Sequence, residues 1–166
     1  QDERTAIDQF GRDDKYFGVC TMMATLPGLP MLAHGQIEGF TEKYGMEFRR
    51  AYWDERPDGY LVERHEREIF PLMRRRHIFS GAASFALFDF QTHGGWVDEN
   101  VFAYSNRIGT ERALVVYHNR YAEARGWIRT SVTYAGKAGN DGDTHSVQKT
   151  LAEGLDISRG EGTFTV

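Results

Sequence analysis

The spacing of apolar residues changes once along this chain, at Ser80-Gly81, and that change limits what it can fold into. Before it, apolar side chains recur every three or four residues. One run is Tyr16, Val19, Cys20, Met23 and Leu26; another is Leu61, Val62, His65, Ile69, Leu72 and Met73. That is the spacing of one face of a helix. After it the period drops to two, and Ser84 to Phe90, Val101 to Arg107, Arg112 to His118 and Ile128 to Tyr134 read as strands. Asn106 to Glu111 carries turn chemistry around Gly109, which predicts an antiparallel hairpin. Residues 135 to 146 are rich in Gly, Asn and Asp and read as a loop. The chain therefore divides into α/β material over 1–80 and antiparallel β material over 81–166.

Within the first part, Asp13 or Asp14 can cap a helix that Pro27-Gly28 ends. Leu29 to Ala33 is then a short apolar run, as in a strand covered on both faces. It stops at His34-Gly35-Gln36, polar groups that an interior strand does not need. One strand cannot make a parallel sheet, so its neighbours are expected upstream. Both ends, Gln1-Asp2-Glu3 and Gly162 to Val166, read as interior sequence, as in a piece of a longer polypeptide. Residues 36 to 59 form a charged, aromatic-rich segment, and loops of this length are usually functional or inserted. Its pairs Glu42/Lys43 and Glu47/Arg50 read as surface ion pairs worth little. Tyr60 to His77 is predicted helical, with Pro71 kinking or restarting it. Arg74-Arg75-Arg76-His77 ends that pattern, where positive charge suits the helix dipole. Trp96 and Trp127 are expected to pack in the core or across a hairpin.

The bulk properties exclude several classes. At 166 residues, with 40% hydrophobic and 27% charged residues, the chain has an ordinary globular composition. A net charge of −4 argues against a nucleic-acid binder, which is normally strongly basic. No apolar run is long enough for a membrane helix, and a cytoplasmic location is favoured. Cys20 is the one cysteine, so it forms no disulfide within the chain and reads as a buried thiol. The six histidines lack metal-site spacing. His65-Glu66-Arg67-Glu68 is not the HExxH zinc pattern and is placed on a charged helix face.

If the strand at 29–33 belongs to a (β/α)8 barrel, functional residues project from its C-terminal end. His34, Gly35 and Gln36 then stand on the catalytic face. Asp2 and Glu3 precede the helix that leads into this strand, so they follow the previous strand on the same face. The string DERTAIDQFGRDDKYFGVCTMMATLPGLPMLAHGQIEGF resembles the last barrel units of the α-amylase superfamily of glycoside hydrolases. REIFPLMRRRH resembles that family's last barrel helix, and NVFAYSNRIGTERALVVYHN the opening strands of its C-terminal β-sandwich. The resemblance runs from residue 2 to about 135. It implies that Asp2 is the carboxylate that stabilises an oxocarbenium-like transition state in a retaining mechanism. It places Gln1, His34 and Gln36 beside the same sugar, and it puts the nucleophile and the acid/base upstream of Gln1. Two departures stand out. Gln1 occupies a position where the family has His, and an extra residue separates Gln36 from Glu38. Trp53 is a further candidate, since an indole face suits the apolar face of a sugar.

The reading is thus a C-terminal fragment of an α-glucan-acting hydrolase or transglycosidase: the end of a barrel over 1–80 and the start of a β-sandwich over 81–166. Its partner is an α-glucan or oligosaccharide. No cofactor is expected; any calcium of the parent enzyme would be held by loops outside this chain. Alone, the fragment is expected to be inactive and poorly stable. One rival is a non-catalytic carbohydrate-binding or scaffolding protein that keeps the fold. The other is a free-standing interaction module built on the β part.

Overall fold

The computed structural model describes residues 4–43, 50–138 and 143–157. The chain is mixed α/β and divides into two compact units, Gln1–Arg76 and His77–Val166.

The first unit is helical. A short helix, α1 (Ala6–Phe10), is capped by the Thr5 hydroxyl, which accepts from the Asp8 N–H, and it stops at Gly11. Helix α2 (Asp14–Thr25) follows, as its apolar spacing predicts. Its buried face is Tyr16, Phe17, Cys20 and Ala24. These pack with Ile7, Leu61 and Ile69 into one core. The end of α2 is closed by Arg76, whose guanidinium donates to the carbonyls of Ala24, Leu26 (2.6 Å) and Gly28. The basic run thus does serve a helix C-terminus, but that of a different helix.

The predicted helix over Tyr60 to His77 runs as α3 (Gly59–Arg64), a π turn (His65–Ile69) and α4 (Phe70–Arg74), followed by α5 (Arg76–Phe79). Pro71 explains the π turn. It has no N–H to give, and its ring crowds the carbonyl four residues back. The ladder widens just before it, and the Phe70 N–H bonds the His65 carbonyl five residues earlier. His65 is the first residue of this turn and continues the Leu61 stripe into the core. It is 0% exposed in the core, not on the charged face expected for it.

The expected strand at Leu29–Ala33 does not form. Leu29 is 93% and Met31 81% exposed, and among the described residues no strand lies beside this stretch to complete a ladder. An extended segment without a partner has no hydrogen bonds to define it as a strand. It leads into a turn at residues 34–39. Gly35 (φ 70°) and Gly39 (φ 77°) are required there, because a Cβ on Gly35 would fall 2.6 Å from the Phe40 ring and one on Gly39 2.4 Å from Leu61.

The second unit is built on an antiparallel sheet: β1 (Ala86–Thr92), β2 (Val101–Ile108), β3 (Glu111–His118) and β4 (Gly126–Ser131), in the order β3-β2-β1-β4. The predicted hairpin is β2–β3, closed by Gly109-Thr110. Residues read as a loop form a second hairpin instead, β5 (Tyr134–Ala138) with β6 (Asp143–Val147). Strands of Gly, Lys and Thr carry little apolar alternation, which is why period alone did not mark them. A last helix, α6 (Leu151–Leu155), begins with a capping box between Thr150 and Glu153. It lays Leu151 against Ala86, Phe88 and Ala103, and Arg112 donates to its terminal carbonyl at 2.6 Å. The two tryptophans of this unit lie outside that core. Trp127 contacts His93 (ring centroids 4.3 Å apart) and Arg129. Trp96, 65% exposed, lies over Gly94.

Candidate functional site

The residues around His34 line a cavity of about 280 Å³ in the first unit. One wall comes from the segment leading into α1 and from α1 itself, with Arg4, Thr5, Ile7 and Phe10. The facing wall is Ala33, His34, Gln36 and Phe40, continuing to Glu42 and Lys43. The volume sits at the low end of small-molecule sites, roughly 300–1,000 Å³. It suits one small ring rather than a dinucleotide or a peptide. Polar groups (Thr5, Gln9, His34, Gln36) alternate with apolar ones (Ile7, Phe10, Phe40) around it.

Of the predicted residues, His34, Gln36 and Trp53 lie among the described ones. His34 is exposed on the rim, its ring 6.4 Å from that of Phe40. Gln36 is half-buried and held at both ends of its amide. Its Oε1 accepts from the Ala33 N–H at 3.0 Å, and its Nε2 points at Cys20 Sγ, 3.9 Å away. Trp53, 58% exposed, is not among the lining residues, but its backbone N–H donates to Glu42 (3.0 Å). Gln1 and Asp2 lie outside the described residues. The first residues described, Arg4 and Thr5, line the cavity.

Glu42 and Glu55 organise the long charged segment. Glu55 accepts from the N–H groups of Thr41 (2.8 Å) and Glu42 (2.7 Å) and from the Thr41 hydroxyl (2.9 Å). Glu42, 8% exposed, accepts in return from the N–H groups of Tyr52 (2.6 Å) and Trp53. The expected Glu42/Lys43 surface pair is therefore a correction: Glu42 is a buried backbone clasp. Glu47 of the other pair lies outside the described residues. Desolvation works against ionising Glu55, but the bonds from Thr41 and Glu42, with Arg12 nearby, outweigh it and hold its carboxyl below the usual range. The Glu42 oxygens are committed to the N–H groups of Tyr52 and Trp53. Among the described residues that line the cavity, Glu42 is the one carboxyl.

Beneath the cavity lies a cluster that sequence reasoning missed. Tyr16 Oη donates to the Gln36 carbonyl (3.2 Å) and lies 3.0 Å from His65 Nε2. His65 Nδ1 is 2.8 Å from the Leu61 carbonyl. The rings of Phe17 and Phe70 pack on His65. Burial, followed by the nearby Cys20, pushes the Tyr16 hydroxyl well above its ordinary value, and burial raises the Cys20 thiol too. Burial lowers His65, against the opposing pull of the Leu61 bond and of Glu38 and Glu68. One signal was available: Leu61, His65 and Ile69 share one helical stripe four residues apart. On the outer side of the same helix Arg64 makes a two-pronged bond to Glu68, meets Asp14 and covers the Phe17 ring at 3.9 Å.

Among the described residues no group of three or more His, Cys, Asp or Glu can hold a metal ion. No described helix is long and apolar enough to cross a membrane. No protein-family model, curated protein or solved structure matches the chain.

Proposed function

We propose that the cavity is one wall of a sugar-binding active site and that the chain belongs to an α-glucan-acting glycosidase or transglycosidase of the α-amylase type. The observation that carries this reading is the juxtaposition of two segments. Arg4 and Thr5, close after Asp2 in sequence, and His34 and Gln36, some thirty residues on, line one cavity. That is the pairing expected of loops leaving neighbouring barrel strands. Thr5, Gln9 and His34 suit sugar hydroxyls, and Phe10 and Phe40 suit the apolar face of a pyranose. Asp2 would stabilise the developing positive charge. The nucleophile and the acid would come from upstream sequence, and 1–80 would be the end of a barrel that the upstream strands complete. The antiparallel sheet of the second unit would open a β-sandwich.

Two experiments test this. Titrating maltotriose into the 166-residue chain should shift the amide resonances of Thr5, His34 and Gln36; no shift at any of them counts against a sugar site. In the longer polypeptide, Asp2→Asn should reduce glucan turnover by orders of magnitude without loss of folding. Near-normal turnover would remove Asp2 from the chemistry. A non-catalytic carbohydrate-binding role is kept as the second reading by Gln1, which stands where the resembled family has His. That role predicts maltotriose binding with no turnover by the longer chain.

A further inference from the structure

The Tyr16–His65 cluster is one hydrogen short. Three contacts run in a row: Leu61 carbonyl to His65 Nδ1, His65 Nε2 to Tyr16 Oη, and Tyr16 Oη to the Gln36 carbonyl. Both ends of the row are carbonyl oxygens, which only accept. The Leu61 carbonyl therefore fixes the proton of a neutral imidazole on Nδ1. Nε2 is then an acceptor, and the Tyr16 hydroxyl has a single hydrogen to divide between Nε2 and the Gln36 carbonyl. A protonated imidazole removes the shortage. Nε2–H donates to Tyr16 Oη, and Tyr16 Oη–H donates to the Gln36 carbonyl, so all three contacts carry a hydrogen.

We propose that Tyr16 and His65 form a protonation-dependent latch on the Gln36 wall of the cavity, engaged when His65 is charged and slack when it is neutral. The latch acts on backbone. The Gln36 carbonyl is the anchor, and the turn built on it also carries His34 and the Ala33–Gln36 bonds. His65 opens the π turn ahead of Pro71 and is 0% exposed beside the Tyr16 hydroxyl.

The surroundings set the opposing forces. Tyr16 and Cys20 face the site from α2, Glu38 from the turn and Glu68 from the π turn itself. The two carboxylates favour the charged imidazole, while burial beside Phe17 and Phe70 favours the neutral one, and burial is the larger influence. Protonation is therefore expected below the ordinary imidazole range, centred near pH 6.5 in peptides. The Cys20 thiol, a hydrogen-bond partner of Tyr16, does not remove the shortage. An S–H that donates to Tyr16 Oη still leaves that hydroxyl one hydrogen for two acceptors, His65 Nε2 and the Gln36 carbonyl.

The test is carbon and nitrogen NMR on the full 166-residue chain, acidified from neutral pH. At neutral pH the His65 ring should be the Nδ1–H tautomer. On acidification the Gln36 carbonyl ¹³C resonance should move downfield with the same midpoint as the His65 ring. In Tyr16→Phe the carbonyl should stay flat while His65 still titrates. Three results each overturn the latch: a flat Gln36 carbonyl in the wild type while His65 titrates, an equal shift in Tyr16→Phe, or a His65 that stays neutral until the chain unfolds. An effect on ligand binding rests on the carbohydrate reading; the latch does not. Maltotriose affinity should show a pH step that Tyr16→Phe loses. No maltotriose binding at any pH counts against the carbohydrate reading alone, since the carbonyl resonance decides the latch without a ligand.

Discussion

The two units satisfy their backbones by different means. In the second, the sheet does it: β2 and β3 pair residue for residue from Val101 opposite His118 to Ile108 opposite Glu111. In the first, side chains do much of it. Arg76 serves the carbonyls that close α2, Arg12 the Gly39 carbonyl, Glu55 the N–H groups of Thr41 and Glu42, and Glu42 those of Tyr52 and Trp53. A buried backbone group must find a partner somewhere. Where the chain is irregular, as around the candidate cavity, charged side chains take the place of a ladder. The second unit uses the device at its turns and caps, where Arg112 closes α6, Asp98 accepts from the Asn100 N–H and Glu153 from the Thr150 N–H, beside ladders that serve the strands. A ladder fails only when a strand comes away, whereas a clasp can be broken by replacing one residue. The comparison can be tested by mutation.

The largest effects should come from the two cores and should stay local. Phe88→Ala is expected to destabilise its unit by about 3–5 kcal/mol and Leu61→Ala by about 2–5 kcal/mol, from lost burial and the cavity left behind. Cys20 is buried in the first unit and is the one cysteine of the chain, so its labelling by a thiol reagent reports on that unit. Amide exchange along β2 reports on the other. Leu61→Ala should speed Cys20 labelling, and Phe88→Ala should speed β2 exchange. Unchanged labelling in Leu61→Ala would mean that this core does not guard the first unit.

Glu42→Ala comes next. It strips acceptors from two backbone N–H groups, and a hydrogen bond to a charged group contributes about 1.5–3 kcal/mol. The loss should appear as faster exchange at Tyr52 and Trp53, with β2 unaffected. Acid should loosen the Glu55 half of the clasp. The carboxyl of Glu55 is held below its ordinary value in the folded chain, so its contribution is complete above the ordinary carboxylate range and fades as pH falls through the lowered pKa. Exchange at Thr41 and Glu42, corrected for its intrinsic pH dependence, should rise over that interval. Protection there that ignores pH would show that the Glu55 bonds add little.

This contrast also governs what could be read from residue order. Helix α2 and the strands β1 to β4 were legible because period is a local property. The strand at Leu29–Ala33 was read from a run of apolar residues, yet a strand is a relation between two segments, and the second is missing among the described residues. The clasps were invisible for the same reason. Nothing local distinguishes Glu42, which binds backbone ten residues away, from a glutamate in solvent. His34 and Gln36 were singled out because a polar stop after an apolar run is local; that they line a cavity with Arg4 and Thr5 is not. His65 was misplaced because the charges beside it outweighed its place in the Leu61–Ile69 stripe.

A smaller, pH-dependent effect separates the units again. Buried and neutral, His65 has a folded pKa below its unfolded one, so unfolding takes up a proton. Its contribution is complete above about pH 6.5, the unfolded value, and is lost as pH falls through the folded one. One proton sets a ceiling of about 1.4 kcal/mol per pH unit on the slope. His65→Asn should flatten the acid side of a pH–stability curve for the first unit. An identical slope in the variant would place the acid sensitivity on the carboxylates instead.

The smallest effect is expected where bulk alone would suggest a large one. Trp96 is among the largest side chains of the second unit, but it is 65% exposed and lies over the backbone of Gly94 rather than in the core. Little apolar area returns to water when it is removed, so Trp96→Ala should change stability by no more than about 0.5 kcal/mol. Gly94→Ala probes the same contact from below. Its Cβ would fall 1.7 Å from an indole carbon, so the ring must move, and the exposed ring is free to swing outward. Near-normal stability with a red-shifted Trp96 emission is expected, read in a Trp53→Phe, Trp127→Phe background. A loss of several kcal/mol from either change would mean that the hairpin loop carries stability that the ladder is credited with here, and the contrast between the units would weaken accordingly.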